Sequence, residues 1–144
     1  MLIGEYLHTL DNKNRISLPA KFRKVVGKRV VVTRGLDNCL FLFPLSAWKG
    51  IAKKLETLPV GKSDTRGMSR FLLAGASECE VDGAGRILIP EYLKVFAGFE
   101  SDVVLAGVSD RIEIWDQKRW SDYKHRIEER ADSMAQTLGD LGIL

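Results

Sequence analysis

Apolar and polar residues alternate in short stretches along much of this chain, and the series occurs twice. Leu2–Leu10 reads as an apolar strand that runs into the polar turn DNKN, then into a second strand, Arg15-Ile-Ser-Leu, of period two. Gly75–Val81, DGAG and Arg86-Ile-Leu-Ile repeat that order. Pro19 or Pro90 follows, suited to the first position of a helix because it has no N–H to leave unpaired and its φ is fixed. The short helices, Pro19–Val26 and Pro90–Ala97, stop at Gly27 and Gly98. Two strands come next in each copy: Arg29–Thr33 with Leu40–Phe43, and Val103–Ala106 with Ile112–Trp115. Each copy ends in a helix. Ser46 is placed to cap the first, with Trp48, Ile51, Ala52, Leu55 and Leu58 on one face; Trp120, Tyr123, Ile127 and Ala131 make the matching stripe in the second. Between the copies, Pro59–Lys62 reads as a turn and Ser63–Leu73 as a helix.

The repetition extends to identities. At an offset of 71, Asp11 matches Asp82, Arg15 matches Arg86, Ile16 matches Ile87, Pro19 matches Pro90 and Gly27 matches Gly98. These are five identities in the eighteen residues 10–27, where average usage gives roughly one. Farther along, the offset becomes 72, and Trp48 matches Trp120. The expected units are residues 1–62 and 63–144, the second carrying the C-terminal helix. A half of this size buries too little surface to be stable alone. Two such halves most simply close one shared barrel, which also removes exposed strand edges. The expected fold is therefore α+β, mostly β: two tandem βαββα-type repeats closing one swapped-hairpin, double-split barrel with peripheral helices.

Composition limits the function. Apolar residues make up 45% of the 144, enough for a packed interior. No run approaches the roughly 20 apolar residues of a membrane helix, and the N-terminal residues lack a basic region before an apolar run, so neither a membrane span nor a signal peptide is expected. Cys39 and Cys79 stand outside any CxxC spacing and read as buried or half-buried thiols in a cytoplasmic protein. The net charge of +3 conceals +9 in residues 1–72 and −6 in residues 73–144. That split suits a polyanionic partner for the basic half and head-to-tail association between copies.

The shared turn motif is Asp-x-x-x-Arg. An aspartate carboxylate can accept the backbone N–H groups that follow it, and the turn needs positive φ, from Gly83 and Gly85 in one copy and from Asn12 and Asn14 in the other. Spacing alone leaves two roles open. The Asp and Arg either pair to hold the turn, or the Arg is projected outward from it. The charges around the first copy favour projection: residues 10–29 carry Lys13, Arg15, Lys21, Arg23, Lys24, Lys28 and Arg29 against Asp11 alone. Such a cluster can contact phosphates, and an arginine that enters the major groove can contact a guanine edge.

LDNKNRISLPAKFR and VDGAGRILIP, the latter preceded by FLLAGASECE, resemble the MraZ family of bacterial proteins along the whole chain. The wider group is the AbrB/SpoVT-like transcription factors, whose half-length chains dimerise to form the barrel. The resemblance implies a DNA-binding regulator of the division and cell-wall gene cluster, assembled into a ring and located in the cytoplasm on the nucleoid. It implies double-stranded DNA with tandem promoter repeats as partner, and neither a membrane nor a small-molecule substrate. By it, Lys13, Arg15, Arg86 and, more weakly, Arg23 are the DNA contacts. Asp11, Asn14, Asp82, Gly83 and Gly85 shape the turns. The family has glycine just before the Arg; this chain has Asn14 in the first copy.

Other chemistries find little support. His8 and His125 have no partner spacing, and Cys39, Cys79 and His8 have no ligand spacing, so no enzyme, metal or cofactor is expected. The GxG of DGAGRILIP runs into a strand, not a helix, and lacks the third glycine of a dinucleotide loop. The rival is a ring-forming protein-interaction scaffold or antitoxin-like module with only nonspecific affinity for DNA.

Overall fold

The computed structural model describes all residues, Met1–Leu144. The chain runs β1 (Leu2–Thr9), β2 (Arg15–Ser17), α1 (Ala20–Val26), β3 (Arg29–Arg34), β4 (Leu40–Pro44), α2 (Leu45–Glu56) and α3 (Ser63–Ser69). After a wide helical turn, Arg70–Ala74, come β5 (Ser77–Glu80), β6 (Arg86–Leu88), α4 (Glu91–Ala97), β7 (Asp102–Ser109), β8 (Ile112–Asp116) and α5 (Gln117–Asp140). Six strands form one antiparallel sheet in the order β1-β7-β8-β4-β3-β5, and β2 pairs with β6 in a separate ribbon.

The pairing interleaves the copies. β1 lies on β7 and β5 lies on β3, so each copy's first strand joins the other copy's sheet. The ribbon does the same with one strand from each copy. Two pairs mark a pseudo-twofold axis. Ile16 faces Ile87 in the ribbon, and Phe41 faces Glu113 where β4 meets β8; each pair joins equivalent positions of the repeat. The ribbon closes over the sheet, with β2 against β1 and β6 against β5.

One core unites both copies. Leu2, Ile16, Leu18, Phe22, Leu40 and Leu42 from the first pack with Ile87, Ile89, Leu93, Leu105, Ile112 and Ile114 from the second, all nearly inaccessible. Cys39 and Cys79 are free thiols buried in this interior, and burial pushes both above the ordinary thiol range.

Some local expectations need correction. Pro19 and Pro90 occupy the position before the helix, with ψ of 142° and 145°, so the helices begin at Ala20 and Glu91. The fixed φ of proline suits this extended cap as well as a first helical residue. Ser46 caps nothing, because α2 already begins at Leu45 behind Pro44. The expected helix Ser63–Leu73 divides into α3 and the wide turn. In α5, Trp120, Tyr123 and Ile127 are half-buried, but Ala131 is exposed because the helix has already run past the barrel. Trp120 and Tyr123 both pack on the buried Trp115, at centroid distances of 5.3 and 4.9 Å.

Candidate nucleic-acid interface

The two Asp-x-x-x-Arg turns are built bond for bond alike. In the first, Asp11 Oδ1 accepts from the Lys13 N–H at 2.9 Å and the Arg15 N–H at 2.8 Å, while Oδ2 accepts from Arg15 Nε at 2.7 Å. In the second, Asp82 Oδ1 accepts from the Ala84 and Arg86 N–H groups at 2.9 and 2.8 Å, and Oδ2 from Arg86 Nε at 2.9 Å. These backbone N–H bonds, more than the ion pairs, hold both carboxyls below the usual carboxylate range. Only Asn14 (φ 60°) and Gly85 (φ 79°) adopt left-handed backbone. Asn12 and Gly83 do not, contrary to the sequence reading, because one such residue just before the Arg closes the turn.

Pairing and projection therefore coexist. Asp11 and Asp82 tie down Nε of Arg15 and Arg86, yet the Nη groups of both arginines have no partner in the chain. The pleat orients them. Ile16 and Ile87 face the core, so Arg15, Ser17, Arg86 and Leu88 share the outer face of the ribbon. Arg15 lies opposite Leu88 and Arg86 opposite Ser17, which makes the two arginines diagonal neighbours, with Cα atoms about 7–8 Å apart. Lys13 is exposed at the tip of its turn, and its ammonium has no partner. Leu88 is 57% exposed on this face, where its apolar side chain stands at the position that Ser17 holds in the first copy.

Arg23 reaches from α1 across to the other copy. Its Nε donates to Leu18 O at 2.7 Å, and its guanidinium lies against Gly85, in the turn of the other copy. A Cβ at Gly85 would come within 2.1 Å of Arg23 Cζ. The equivalent residue, Lys94, crosses in the opposite sense: its Nζ donates to Asn14 Oδ1 at 3.3 Å, and Asn14 Nδ2 donates to Glu91 Oε2 at 2.8 Å. The basic charge written around the first motif is thus shared with the second turn, which sequence position alone assigned to the first.

His8 is half-buried; burial first, and the charge of Arg23 second, lower its pKa. His125 is exposed and faces Glu129 at 3.1 Å. No group of three or more His, Cys, Asp and Glu residues is placed to hold a metal ion, and no helix is long and apolar enough to cross a membrane.

The site is thus a doubled, cross-braced pair of arginine turns on one ribbon. A family model described as "MraZ protein, putative antitoxin-like" matches the chain twice, over residues 1–71 and 72–140. "Transcriptional regulator MraZ" of Natranaerobius thermophilus is 48% identical over 143 residues, spanning 99% of this chain and all of its own length. The protein of the same name from a Thermoanaerobacter species is 50% identical over the same span. A solution structure from Pyrococcus horikoshii, PHS018, covers 79% of this chain and 88% of its own at 13% identity, with a TM-score of 0.32. Matched by two tandem repeats and by relatives along its whole length, the chain belongs to the MraZ family.

Proposed function

We propose that this protein is a sequence-specific DNA-binding transcriptional regulator. It binds tandem short promoter repeats, those of the division and cell-wall gene cluster, as a head-to-tail ring on the nucleoid. Lys13, Arg15 and Arg86 make the principal contacts, and Arg23 supports them. The observation that carries this reading is the pair of arginines on the outer face of one ribbon, each with Nε fixed by an aspartate and its Nη groups free. A guanidinium held in this way loses little rotamer freedom on binding, and its open edge fits a phosphate or the O6 and N7 of guanine. The relatives' shared name supports the regulatory role. The split of +9 and −6 between the halves supports the ring, because a heterologous contact closes when its rotation allows. Several subunits would then add modest contacts through effective concentration.

The test is binding to the DNA upstream of its own coding sequence, against scrambled DNA of equal length, across a salt series. Specific binding that falls steeply with salt, and that Arg15→Ala loses while keeping its oligomer, is expected. Equal, salt-sensitive binding to both duplexes would favour the scaffold or antitoxin-like role instead. Sedimentation of the free protein and of the complex would establish whether a closed ring forms.

A further inference from the structure

Of the groove between α1 and the second turn, only Arg23 has a place in the contacts assigned above. It is an open recess of about 270 Å³ whose wall includes Arg23, Gly27 and Lys28 from the first copy and Asp82, Gly83 and Gly85 from the second. We infer that it is a phosphate site, in which Arg23, Lys28 and the Gly83 N–H hold one phosphodiester of duplex DNA beside the second turn. This inference rests on the reading of the protein as a DNA-binding regulator.

The donors are held ready. Arg23 Nε is fixed to Leu18 O, and its remaining guanidinium N–H groups have no partner in the chain. Gly85 admits that guanidinium because it has no Cβ. Lys28 is exposed, and its side chain makes no hydrogen bond or ion pair. The Gly83 N–H is also free: the turn's internal bonds use the N–H groups of Asp82, Ala84, Gly85 and Arg86, and leave that one. The single acidic group in the wall is already engaged, since both oxygens of Asp82 accept bonds from its own turn. Two cations and an unpaired backbone donor around a recess of this size match a tetrahedral, singly charged phosphodiester.

The pseudo-twofold mate of this groove keeps a free backbone N–H, at Asn12, but not the side chains. At the first turn Asn14 stands where Gly85 leaves room, and its amide is bonded to both Glu91 and Lys94. The residue equivalent to Lys28 is the uncharged Ser101: Lys28 O accepts from the Val81 N–H, and Ser101 O accepts from the N–H of Leu10, the repeat mate of Val81. The phosphate site is therefore one-sided, and it gives a nearly symmetric ribbon a polarity along the DNA.

Lys28→Gln tests the inference, because no bond within the fold depends on that side chain. Affinity is measured for the upstream duplex and for a scrambled duplex across a salt series. Lys28→Gln is expected to weaken both in the same proportion and to lower the slope of log affinity against log salt by about 1. Lys28→Arg should restore the slope. Lys53→Gln, on α2, which packs on β3 and β4, should leave it unchanged. An unchanged slope in Lys28→Gln, or an equal fall in Lys53→Gln, overturns the site while leaving the regulatory reading intact. A wild-type protein that binds neither duplex overturns both. A wild type without preference between duplexes overturns sequence-specific regulation, and a slope lowered by Lys28→Gln alone would then still support the phosphate site.

Discussion

Ile16 and Ile87 face each other across the β2–β6 ladder, occupy the same place in the two copies, and are both fully buried. They are the hinge pin of the pseudo-twofold arrangement, and the arginine turns begin one residue to either side. Truncating either to alanine removes buried methyl groups and leaves a cavity at the seam, with an expected loss of about 2–5 kcal/mol. Because the two residues are direct neighbours, the double substitution should differ from the sum of the singles by about 0.5–3 kcal/mol. Urea melts of the four proteins in the cycle measure both effects, and strict additivity would refute contact across the seam.

Gly83 and Gly85 stand two residues apart in one turn and predict opposite responses. Gly85 needs positive φ, and a Cβ there would strike the Arg23 guanidinium. Gly85→Ala should therefore lose more than about 1 kcal/mol. Gly83 has ordinary φ and open space around its missing Cβ. Gly83→Ala should stay within about 0.5 kcal/mol of the parent. Thermal melts decide; similar losses at both positions would mean that Arg23 does not pack on the turn.

Much of this fold was legible because strand alternation, the two prolines and the terminal glycines agree, and each occurs twice. Neither copy can bury its apolar face alone, so the repeat itself points to a shared core. Which copy's strand pairs with which, and where Arg23 lies, was not legible, since both depend on contacts between residues far apart in sequence, such as Arg23 with Gly85 and Leu2 with Ser109. The internal bonds of each turn were foreseen from Asp-x-x-x-Arg because they are local. The exposure of Ala131 was missed for the opposite reason: a stripe of period 3.6 says which face is apolar but not how far the partner surface extends.

The turn carboxylates predict an acid limb of stability. Asp11 and Asp82 have their pKa values lowered, mainly by the backbone N–H bonds they accept. A carboxyl depressed in the folded state contributes stability that is complete above its ordinary value near 3.9 and is lost as pH falls through the folded value. Stability should thus decline below about pH 4, and the double substitution Asp11→Asn with Asp82→Asn should flatten that decline while lowering stability at neutral pH. Denaturant melts from pH 3 to 7 show the result. An unchanged acid limb in the double variant would place the titrating groups elsewhere.

His8 reports on the position of Arg23. Its pKa lies below the ordinary 6.5, through burial first and the Arg23 charge second, so the folded state favours the neutral imidazole. Between the two values the unfolded chain holds more protons than the folded one. The contribution of His8 is therefore complete above about pH 6.5 and is lost as pH falls through the folded value. Removing the nearby charge with Arg23→Gln should raise the His8 titration midpoint toward the ordinary value without reaching it, since burial remains. Proton NMR of the His8 ring across pH 4–8 follows this directly. A midpoint unmoved by Arg23→Gln would mean that the guanidinium does not sit between β1 and the second turn, and the cross-bracing of the two arginine turns would fail with it.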